Sequence, residues 1–295
     1  MQEQTLDIAL VQMQMHEDRT ENDRRAVAAI REGAARGAKL VCLPELFRSH
    51  YFCQTEDADL CDLAEPIPGP TTERYAALAQ ELGIDLVLSL FERRAAGVYH
   101  NTAVVLEGQH TAGMYRKMHI PDDPRYYEKY YFTPGDLGFR TISTRRCRLG
   151  VLVCWDQWFP EAARLTALQG AEVLIYPTAI GWHPEEKAAV GDTQRDAWRT
   201  IQRSHAIANG CYVAAINRWG FEPTPGRTEE GIEFFGSSFV TAPDGAVIAE
   251  APVAGSQVLL ARLDLGAIER QRRGWPFLRD RRIDAYGGLG QRFGR

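Results

Sequence analysis

Short apolar segments that suit buried strands alternate along this chain with segments of helical spacing, and this alternation limits its possible folds most strongly. Leu6 to Met13 has the pattern of a first strand, and Asn22 to Arg36 follows with apolar residues at helical spacing. Strand-like segments recur at 40–43, 84–90, 172–177 and 212–217, helix-like segments at 71–82, 155–169 and 193–209, and hairpins at 99–115 and 237–250. This order predicts one α/β sandwich domain, although the pattern alone does not separate it from a doubly wound open sheet.

The composition is that of a water-soluble enzyme. The chain has 295 residues, of which 45% are hydrophobic, so it can bury one large core or two modest ones. Its net charge of -5, with acidic and basic residues mixed throughout, gives no reason to expect a nucleic-acid partner. No apolar run reaches the roughly 18 residues of a membrane span, and the polar start from Met1 to Gln4 lacks the regions of a secretion signal. We therefore expect a cytoplasmic protein without a membrane partner.

The cysteines and histidines are scattered rather than clustered. Six cysteines occur without a CxxC pair, and seven histidines occur without an HExxH or other paired ligand spacing. We therefore expect neither a disulfide framework nor a metal site. The segment 271–282 is rich in arginine with embedded aromatic residues. RNA contact is one interpretation of it, but such a cluster in an acidic chain is more often solvated or in contact with a subunit.

Cys154 is the first candidate nucleophile. It follows the apolar run from Gly150 to Val153 and precedes the helix-like segment from Trp155 to Arg164. A thiol at the carboxyl end of a buried strand faces the first amides of the next helix, which can lower its pKa and present it to a ligand. The alternative is a small buried hydrophobic residue, which is the usual environment of a free cysteine.

Glu45 and Lys117 also stand at the ends of strand-like segments. Glu45 comes directly after Leu40–Leu43 and Pro44, where the strand must stop, so its carboxylate is placed to act as a general base. Lysine is scarce in this arginine-rich chain, so Lys117 in an apolar stretch suggests a requirement for a compact ammonium group. An ordinary exposed lysine beside Arg116 is the alternative.

Together, Glu45, Lys117 and Cys154 resemble, in type, order and wide separation, the Glu-Lys-Cys set of the nitrilase superfamily. The resemblance extends from Leu6 to about Leu265 and implies a four-layer α-β-β-α sandwich in a single domain. It implies a carbon-nitrogen hydrolase domain at residues 1–265 and a C-terminal extension at 266–295 that contacts a neighbouring subunit. It also implies a homo-oligomer built from dimers, and no metal or organic cofactor.

The resemblance also implies roles for the site residues. Cys154 attacks a carbonyl carbon to form a thioester-type intermediate, Glu45 moves the proton, and Lys117 with the backbone amide of Trp155 holds the oxyanion. Glu128, in the tyrosine-rich segment 126–131, matches a second carboxylate that orients Lys117 and the substrate. A surface glutamate paired with Lys129 or Arg125 is the alternative interpretation of Glu128.

Three longer strings, at 119–122, 127–136 and 154–161, resemble those of superfamily members that hydrolyse the ureido C–N bond of N-carbamoylputrescine. This implies a substrate with a cationic tail and release of putrescine, carbon dioxide and ammonia, in polyamine synthesis from agmatine. Such a pocket needs aromatic walls, for which Trp155 and Tyr51 are candidates, and a carboxylate for the amine. Asp122 is the preferred carboxylate, ahead of Asp123, Glu185 and Glu186.

Several alternatives remain at this level. A β-ureidopropionase, a D-amino acid carbamoylase, an aliphatic amidase or a nitrilase would use the same three residues, and substrates bearing a carboxylate would require arginines in the pocket. A non-catalytic protein that kept the fold is the alternative from another class, and the presence of all three site residues argues against it.

Overall fold

A computed structural model of the chain describes residues 5–294 and contains two six-stranded sheets. In the first sheet the strand order is β15-β1-β2-β3-β4-β5, with β1 parallel to β2, β2 parallel to β3 and the remaining pairs antiparallel. Numbered in chain order, its strands are β1 (Thr5–Gln12), β2 (Leu40–Cys42), β3 (Asp85–Ala95), β4 (Val98–Glu107), β5 (His110–Arg116) and β15 (Gln257–Asp264).

The second sheet has the order β14-β13-β10-β8-β7-β6, in which β7, β8 and β10 are parallel neighbours. Its strands are β6 (Ile142–Ser143), β7 (Arg148–Val151), β8 (Val173–Thr178), β10 (Tyr212–Asn217), β13 (Phe239–Thr241) and β14 (Val247–Glu250). A third, small antiparallel sheet has the order β11-β12-β9. It contains β9 (Gly181–Trp182), β11 (Trp219–Thr224) and β12 (Arg227–Phe235).

Helices cover the outer faces of the two large sheets. They are α1 (Arg19–Ala35), α2 (Pro70–Leu82), α4 (Pro160–Leu168), α5 (Lys187–Asn209) and α6 (Gly266–Gly274), whereas the short helix α3 (Glu128–Tyr131) packs beside a 3₁₀ helix at Phe52–Gln54. In β1, Ile8 and Leu10 point into the core shared by the two sheets, whereas Ala9 and Val11 point into the core beneath α1 and α2. Successive side chains of a strand lie on opposite faces, so a strand covered on both sides is apolar throughout. This packing confirms the predicted four-layer α-β-β-α sandwich.

Most of the predicted elements are confirmed, with shifts of a few residues at their ends. The segment after Cys154 differs, because a 3₁₀ helix at Cys154–Trp158 precedes α4 and Pro160 begins the α-helix. Helix α5 begins at Lys187, six residues before the predicted start. The hairpin of β11 and β12 was not predicted, because its outer half is polar and exposed and lacks a clear alternation.

Residues 1–4 and Arg295 lie outside the described residues. The predicted absence of a secretion signal at Met1–Gln4 and the outer ends of the two predicted segments, 1–265 and 266–295, fall there. Within residues 5–294, no helix is long and apolar enough to cross a membrane. Ile268 of α6 is buried in an apolar cluster that includes residues of both large sheets, so the predicted extension begins in contact with the main domain.

Candidate active site

Cys154 sits at a sharp turn where the second sheet ends. Strand β7 stops at Val151, and Cys154 opens the 3₁₀ helix with a positive φ of +44°. This backbone conformation is uncommon for a residue with a side chain and persists only where the surroundings impose it. The side chain is buried, and its Sγ lies 3.8 Å from the carbonyl oxygen of Ala179, which follows β8. The turn therefore holds the thiol in one orientation.

The Asp156 carboxylate stabilises this turn through hydrogen bonds. Its Oδ2 accepts hydrogen bonds from the Val153 N–H at 3.0 Å and the Tyr115 hydroxyl at 2.9 Å. Its Oδ1 accepts one from the His119 N–H at 3.0 Å and lies 2.7 Å from Nδ1 of the His119 ring. The carboxylate is fully buried. It thus joins the backbone before and after Cys154 to the end of β5 and the loop that follows.

Glu45 enters the site from the first sheet, three residues after β2. Its side chain is fully buried, and Oε1 accepts hydrogen bonds from Lys117 Nζ at 2.8 Å and from Asn101 Nδ2 at 2.7 Å. Its Oε2 is also buried and has no hydrogen-bond partner among the described residues. A buried acceptor without a partner is costly unless a ligand or reacting group uses it. Glu45 therefore presents a vacant acceptor that suits a general base.

Lys117 and Glu128 complete a buried charged set with Glu45. Lys117 follows β5, and its Nζ donates to Glu45 and, at 2.6 Å, to Oε2 of Glu128. The other Glu128 oxygen accepts a 2.6 Å hydrogen bond from the Tyr51 hydroxyl. Glu128, at the start of α3, is fully buried, so the alternative of a surface glutamate paired with Lys129 or Arg125 is wrong.

Burial and neighbouring charges shift the protonation of this set. Burial alone would lower the pKa of Lys117, but Glu128 and Glu45 outweigh it and hold that pKa well above its ordinary value, so the lysine is an ammonium. Burial raises the pKa of Glu128 to about 7, against the opposing effect of Lys117. One ammonium is thus shared between two carboxylates in a dry environment.

The thiol of Cys154 has the opposite shift from the one that the sequence predicts. Burial, with Glu45 and Glu128 adding to it, raises its pKa well above the ordinary value, and Lys117 only partly opposes this. The expected lowering by helix amides is therefore wrong, because desolvation and two nearby carboxylates dominate. Cys154 is therefore a neutral thiol at neutral pH, and a role as nucleophile would require its proton to leave as it attacks.

A cavity of about 990 Å³ reaches this set from the surface. Cys154, Trp155 and Glu128 line it together with Tyr126, Trp158 and other residues from the loops that follow β5 and β8. Its exposed carboxylates are Glu56, Asp123, Glu185, Glu186 and Glu230. Its two guanidinium groups are those of Arg125 and Arg227, and each forms an ion pair with Glu230. Arg125 forms a second ion pair, with Glu185 at 3.0 Å. The cavity therefore carries an excess of negative charge.

Of the three predicted substrate-binding residues, one lines the cavity and two do not. Trp155 lines the cavity as predicted. Tyr51 is fully buried and is not part of the cavity wall, and its hydroxyl donates to Glu128. Asp122 is also absent from the wall, since its side chain is 48% exposed and faces Lys129 at 4.0 Å. The neighbouring Asp123, which the sequence analysis ranked behind Asp122, lines the cavity.

Three supporting residues escaped the sequence analysis. Asn101 donates to Glu45, and its own Oδ1 accepts from the Ser89 hydroxyl at 3.1 Å. Asp156 was visible only as part of the string after Cys154. Arg218 donates to the Glu45 carbonyl oxygen at 2.5 Å from a position 173 residues away. A polar residue within an apolar strand, such as Asn101 in β4, is the one local signal that could have indicated such a role.

The described part of the chain holds no group of three or more His, Cys, Asp or Glu side chains that could bind a metal ion. What the site does offer is a thiol, a vacant carboxylate oxygen and a fixed ammonium beside a cavity. These are the components of covalent hydrolysis at a carbonyl carbon. The α-β-β-α sandwich and this set together define the class of the protein as a hydrolase of the nitrilase type.

Comparison with known proteins supports this class. A family model described as carbon-nitrogen hydrolase matches residues 7–273. An N-carbamoylputrescine amidase of Arabidopsis thaliana is 42% identical over 283 residues, which cover 95% of this chain and 93% of the relative. A citrullinase of Francisella tularensis is 40% identical over 280 residues, covering 95% and 96%. The crystal structure of a carbon-nitrogen hydrolase from Helicobacter pylori G27 has a TM-score of 0.95 at 47% identity and covers 98% of this chain and 100% of that one.

The chain therefore belongs to the carbon-nitrogen hydrolase family. This confirms the resemblance to the nitrilase superfamily and makes the protein a hydrolase of carbon-nitrogen bonds other than peptide bonds. The family match continues to residue 273 and so includes nearly all of α6, beyond the predicted domain boundary at 265. That boundary and the roles of the individual site residues stay predictions.

Proposed function

We propose that this protein hydrolyses N-carbamoylputrescine to putrescine, carbon dioxide and ammonia, a reaction of polyamine synthesis from agmatine. The observation that carries the proposal is the buried Cys154 thiol beside Glu45, Lys117 and Glu128 at a cavity rich in carboxylates. The N-carbamoylputrescine amidase of Arabidopsis thaliana, similar over nearly its full length, supports the choice of substrate. No organic cofactor enters the reaction, since water and the side chains supply every group it needs.

In the first half-reaction, Cys154 Sγ attacks the ureido carbon and its proton passes to the vacant Oε2 of Glu45. Negative charge develops on the former carbonyl oxygen, where the Lys117 ammonium and the Trp155 N–H stabilise it. The N–H groups at the start of a helix have no acceptor within it, which leaves the Trp155 amide available. Glu45 then protonates the departing nitrogen, so ammonia leaves and an S-carbamoyl enzyme remains.

In the second half-reaction, Glu45 takes a proton from water, and the resulting hydroxide attacks the same carbon. The C–S bond breaks and the proton returns to Sγ, which regenerates the neutral thiol. The product is an N-substituted carbamic acid, which loses carbon dioxide to give the free diamine. Glu128 touches Lys117 throughout, and we propose that it keeps the ammonium aimed at the oxyanion.

The amine end of the substrate is recognised, in this proposal, by the carboxylates of the cavity. Asp123 is the preferred contact, because it lines the cavity and its side chain is exposed to the ligand. Trp155, Tyr126 and Trp158 supply aromatic walls along which a short methylene chain and an ammonium can lie. The paired guanidinium groups of Arg125 and Arg227 leave this field negative overall.

Ammonia release from a substrate panel tests the proposal. N-Carbamoylputrescine is expected to exceed N-carbamoyl-β-alanine in kcat/KM by at least about a hundredfold. Asp123→Asn should raise KM for N-carbamoylputrescine more than for N-butylurea, which lacks the amine, and Asp122→Asn should change neither by more than about twofold. A Cys154→Ala enzyme with near-normal turnover, or no release from N-carbamoylputrescine by the unmodified enzyme, would overturn the proposal.

A second candidate substrate is citrulline, which has the same ureido group on a chain that ends in an amino acid. The citrullinase relative and the two arginines of the cavity favour it. An α-carboxylate would have to displace Glu185 or Glu230 from Arg125, whereas an amine meets carboxylates directly. We therefore rank it second, and its kcat/KM in the same panel decides between the two.

We also propose a cytoplasmic homo-oligomer built from dimers, with residues 266–295 in contact with a neighbouring subunit. A reducing compartment suits the free thiols of this chain. Large apolar side chains are exposed along the C-terminal segment, which supports the contact: Trp275, Phe277, Ile283, Leu289 and Phe293. Sedimentation of the purified protein as a monomer at micromolar concentration would reject the oligomer.

A further inference from the structure

The nucleophile and the base of this site come from different sheets. Cys154 follows β7 of the second sheet, and Glu45 follows β2 of the first. The two side chains are 109 positions apart in the sequence, and within residues 5–294 no hydrogen-bonded strand pair joins the sheets that carry them. The separation between thiol and carboxylate therefore depends on contacts that cross from one sheet to the loop of the other.

Arg218 makes such a crossing. It directly follows β10 in the second sheet and is fully buried, with its guanidinium packed over the Phe234 ring. Its Nη2 donates to the carbonyl oxygens of Glu45, at 2.5 Å, and Leu46, at 3.1 Å. Its Nη1 donates to the carbonyl oxygen of Ser49 at 3.2 Å. One side chain that follows a strand of the second sheet thus donates hydrogen bonds to three carbonyl oxygens of the loop that carries Glu45.

The loop at residues 45–49 has a backbone conformation that these hydrogen bonds stabilise. Leu46, directly after Glu45, has a positive φ of +48°, which is unfavourable for a branched side chain. Its N–H donates to the Ser89 hydroxyl at 3.3 Å, while its carbonyl and that of Glu45 face Arg218. Without the guanidinium the loop would relax toward an unstrained backbone, and the Glu45 side chain would turn with it.

Glu222 connects Arg218 to Glu128, the second carboxylate beside Lys117. It lies on β11, is fully buried, and accepts from Arg218 Nη1 at 2.9 and 3.0 Å. Its Oε2 also accepts a 2.6 Å hydrogen bond from the Tyr51 N–H, and the Tyr51 hydroxyl donates to Glu128. The ion pair therefore reaches Glu45 through Arg218 and Glu128 through Glu222.

We propose that Arg218 and Glu222 form a positioning pair that sets the distance between the Cys154 thiol and Glu45 and holds Glu128 against Lys117. Neither residue lines the cavity, so both act through others. A buried ion pair contributes little net stability against an apolar pair of the same shape, which makes a geometric role a sufficient reason for it. The kinetic part of the proposal rests on the proposed hydrolysis, whereas the effect on thiol reactivity does not.

The test compares Arg218→Met with the double variant R218M/E222Q. The single variant leaves the Glu222 charge buried and unpaired, so it loses thermal stability. The double variant removes that charge and keeps an acceptor for the Tyr51 N–H, so its melting temperature should recover most of that loss. Under the proposal, kcat per reactive thiol falls about a hundredfold in both variants, because a displacement near 1 Å has an effect of that size, while KM changes less than about threefold.

The matched control is Arg48→Met. Arg48 lies on the same loop and is largely buried, but its partners are Asp23 of α1, on the outer side of the first sheet, and Glu65. It should lose stability and keep kcat per reactive thiol within about threefold of the unmodified enzyme. Active enzyme is counted by stoichiometric labelling of Cys154, and the rate of that labelling by iodoacetamide is recorded for every variant.

Recovery of both stability and kcat in R218M/E222Q would overturn the proposal, since the pair would then serve only to balance charge. An equal loss of kcat in the Arg48 variant would overturn it as well. If the unmodified enzyme does not hydrolyse N-carbamoylputrescine, the proposed function fails while labelling still tests the pair. A labelling rate in R218M/E222Q that differs at least about tenfold from that of the unmodified enzyme, in either direction, supports positioning, because Glu45 both raises the pKa of the thiol and can accept its proton; an unchanged rate rejects it.

Discussion

Removal of the Asp156 carboxylate should disturb the backbone turn at Cys154 without removing any group that reacts, and so show how much kcat depends on the position of the thiol. Asp156 touches neither the cavity nor Glu45, yet it accepts from the N–H groups of Val153 and His119 and from the Tyr115 hydroxyl. Asp156→Asn keeps the shape but replaces one acceptor oxygen by an NH₂ group. Tyr115 and the His119 ring can each turn to accept from that group, whereas a backbone N–H cannot.

The expected magnitudes follow from the number of backbone donors left without an acceptor. Asp156→Asn leaves one, either Val153 or His119, and Asp156→Ala leaves both. Each buried donor without a partner costs about 1–3 kcal/mol, so the expected losses are about 1–3 kcal/mol for Asn and about 2–6 kcal/mol for Ala. At about 2 °C per kcal/mol for a chain of this size, the melting temperature should fall by about 2–6 °C and 4–12 °C.

The kinetic effect should be larger than the loss of stability suggests. Cys154 has a positive φ that the Asp156 hydrogen bonds help to impose, so its backbone relaxes when they are lost. A displacement of the thiol near 1 Å predicts a fall in kcat of about a hundredfold with little change in KM. Steady-state ammonia release, normalised to folded enzyme, and differential scanning calorimetry measure the two effects.

The matched control for this prediction is Asp23→Asn. Asp23 is a buried aspartate of α1 that accepts from Arg48 and from the Tyr75 hydroxyl at 3.0 Å, away from Cys154. It should lose a similar amount of stability and keep its kcat. If Asp156→Ala kept a normal kcat, or if Asp23→Asn lost as much kcat as Asp156→Asn, the link between this carboxylate and the Cys154 turn would be refuted.

Three further predictions concern the thiol, the second carboxylate and the strand before the nucleophile. Because burial raises the pKa of Cys154 well above its ordinary value, the labelling rate with iodoacetamide should rise with pH without a plateau below about pH 9, and a plateau near pH 7 would contradict this. Glu128→Gln should lower kcat at least about tenfold while the melting temperature stays within about 3 °C of that of the unmodified enzyme. Normal turnover would contradict the proposed role of Glu128 in orienting Lys117. Gly150→Ala should cost about 1–3 kcal/mol in thermal unfolding, because its Cβ would lie 2.4 Å from Thr166 Cγ2, while Gly274→Ala, with open space around it, should not.

The strands and helices that form the sandwich were predictable because each carries its own periodicity. From Ile8 to Val11 in β1 and from Tyr212 to Ile216 in β10, the burial of both faces appears in the sequence as an apolar run. Gly83 and Gly210 end the helices before β3 and β10 with left-handed caps. The order of strands within each sheet has no such local signal. Which helix covers which face is decided by contacts between segments far apart in the chain.

The candidate site was predictable as a set of residue types but not as an electrostatic environment. Glu45, Lys117 and Cys154 were found from their positions at strand ends and from the resemblance to a family. The pKa of Cys154 was predicted in the wrong direction, because the helix amides are local whereas burial and the Glu45 and Glu128 charges are set by tertiary structure. Arg218 and Glu222 were missed for the same reason, since two charged residues four positions apart, one directly after β10 and one on β11, have the sequence pattern of a solvated surface.

The charges of the buried set explain why a neutral thiol is suited to this chemistry. Two carboxylates already share the Lys117 ammonium, so a resting thiolate would add a further negative charge that one ammonium could not balance. Transfer of the Cys154 proton to Glu45 leaves the total charge of the site unchanged and moves the negative charge toward the substrate oxygen. Under the proposed mechanism the protein never has to bury a free thiolate, and Cys154 becomes a nucleophile only when a carbonyl carbon is in place to receive it.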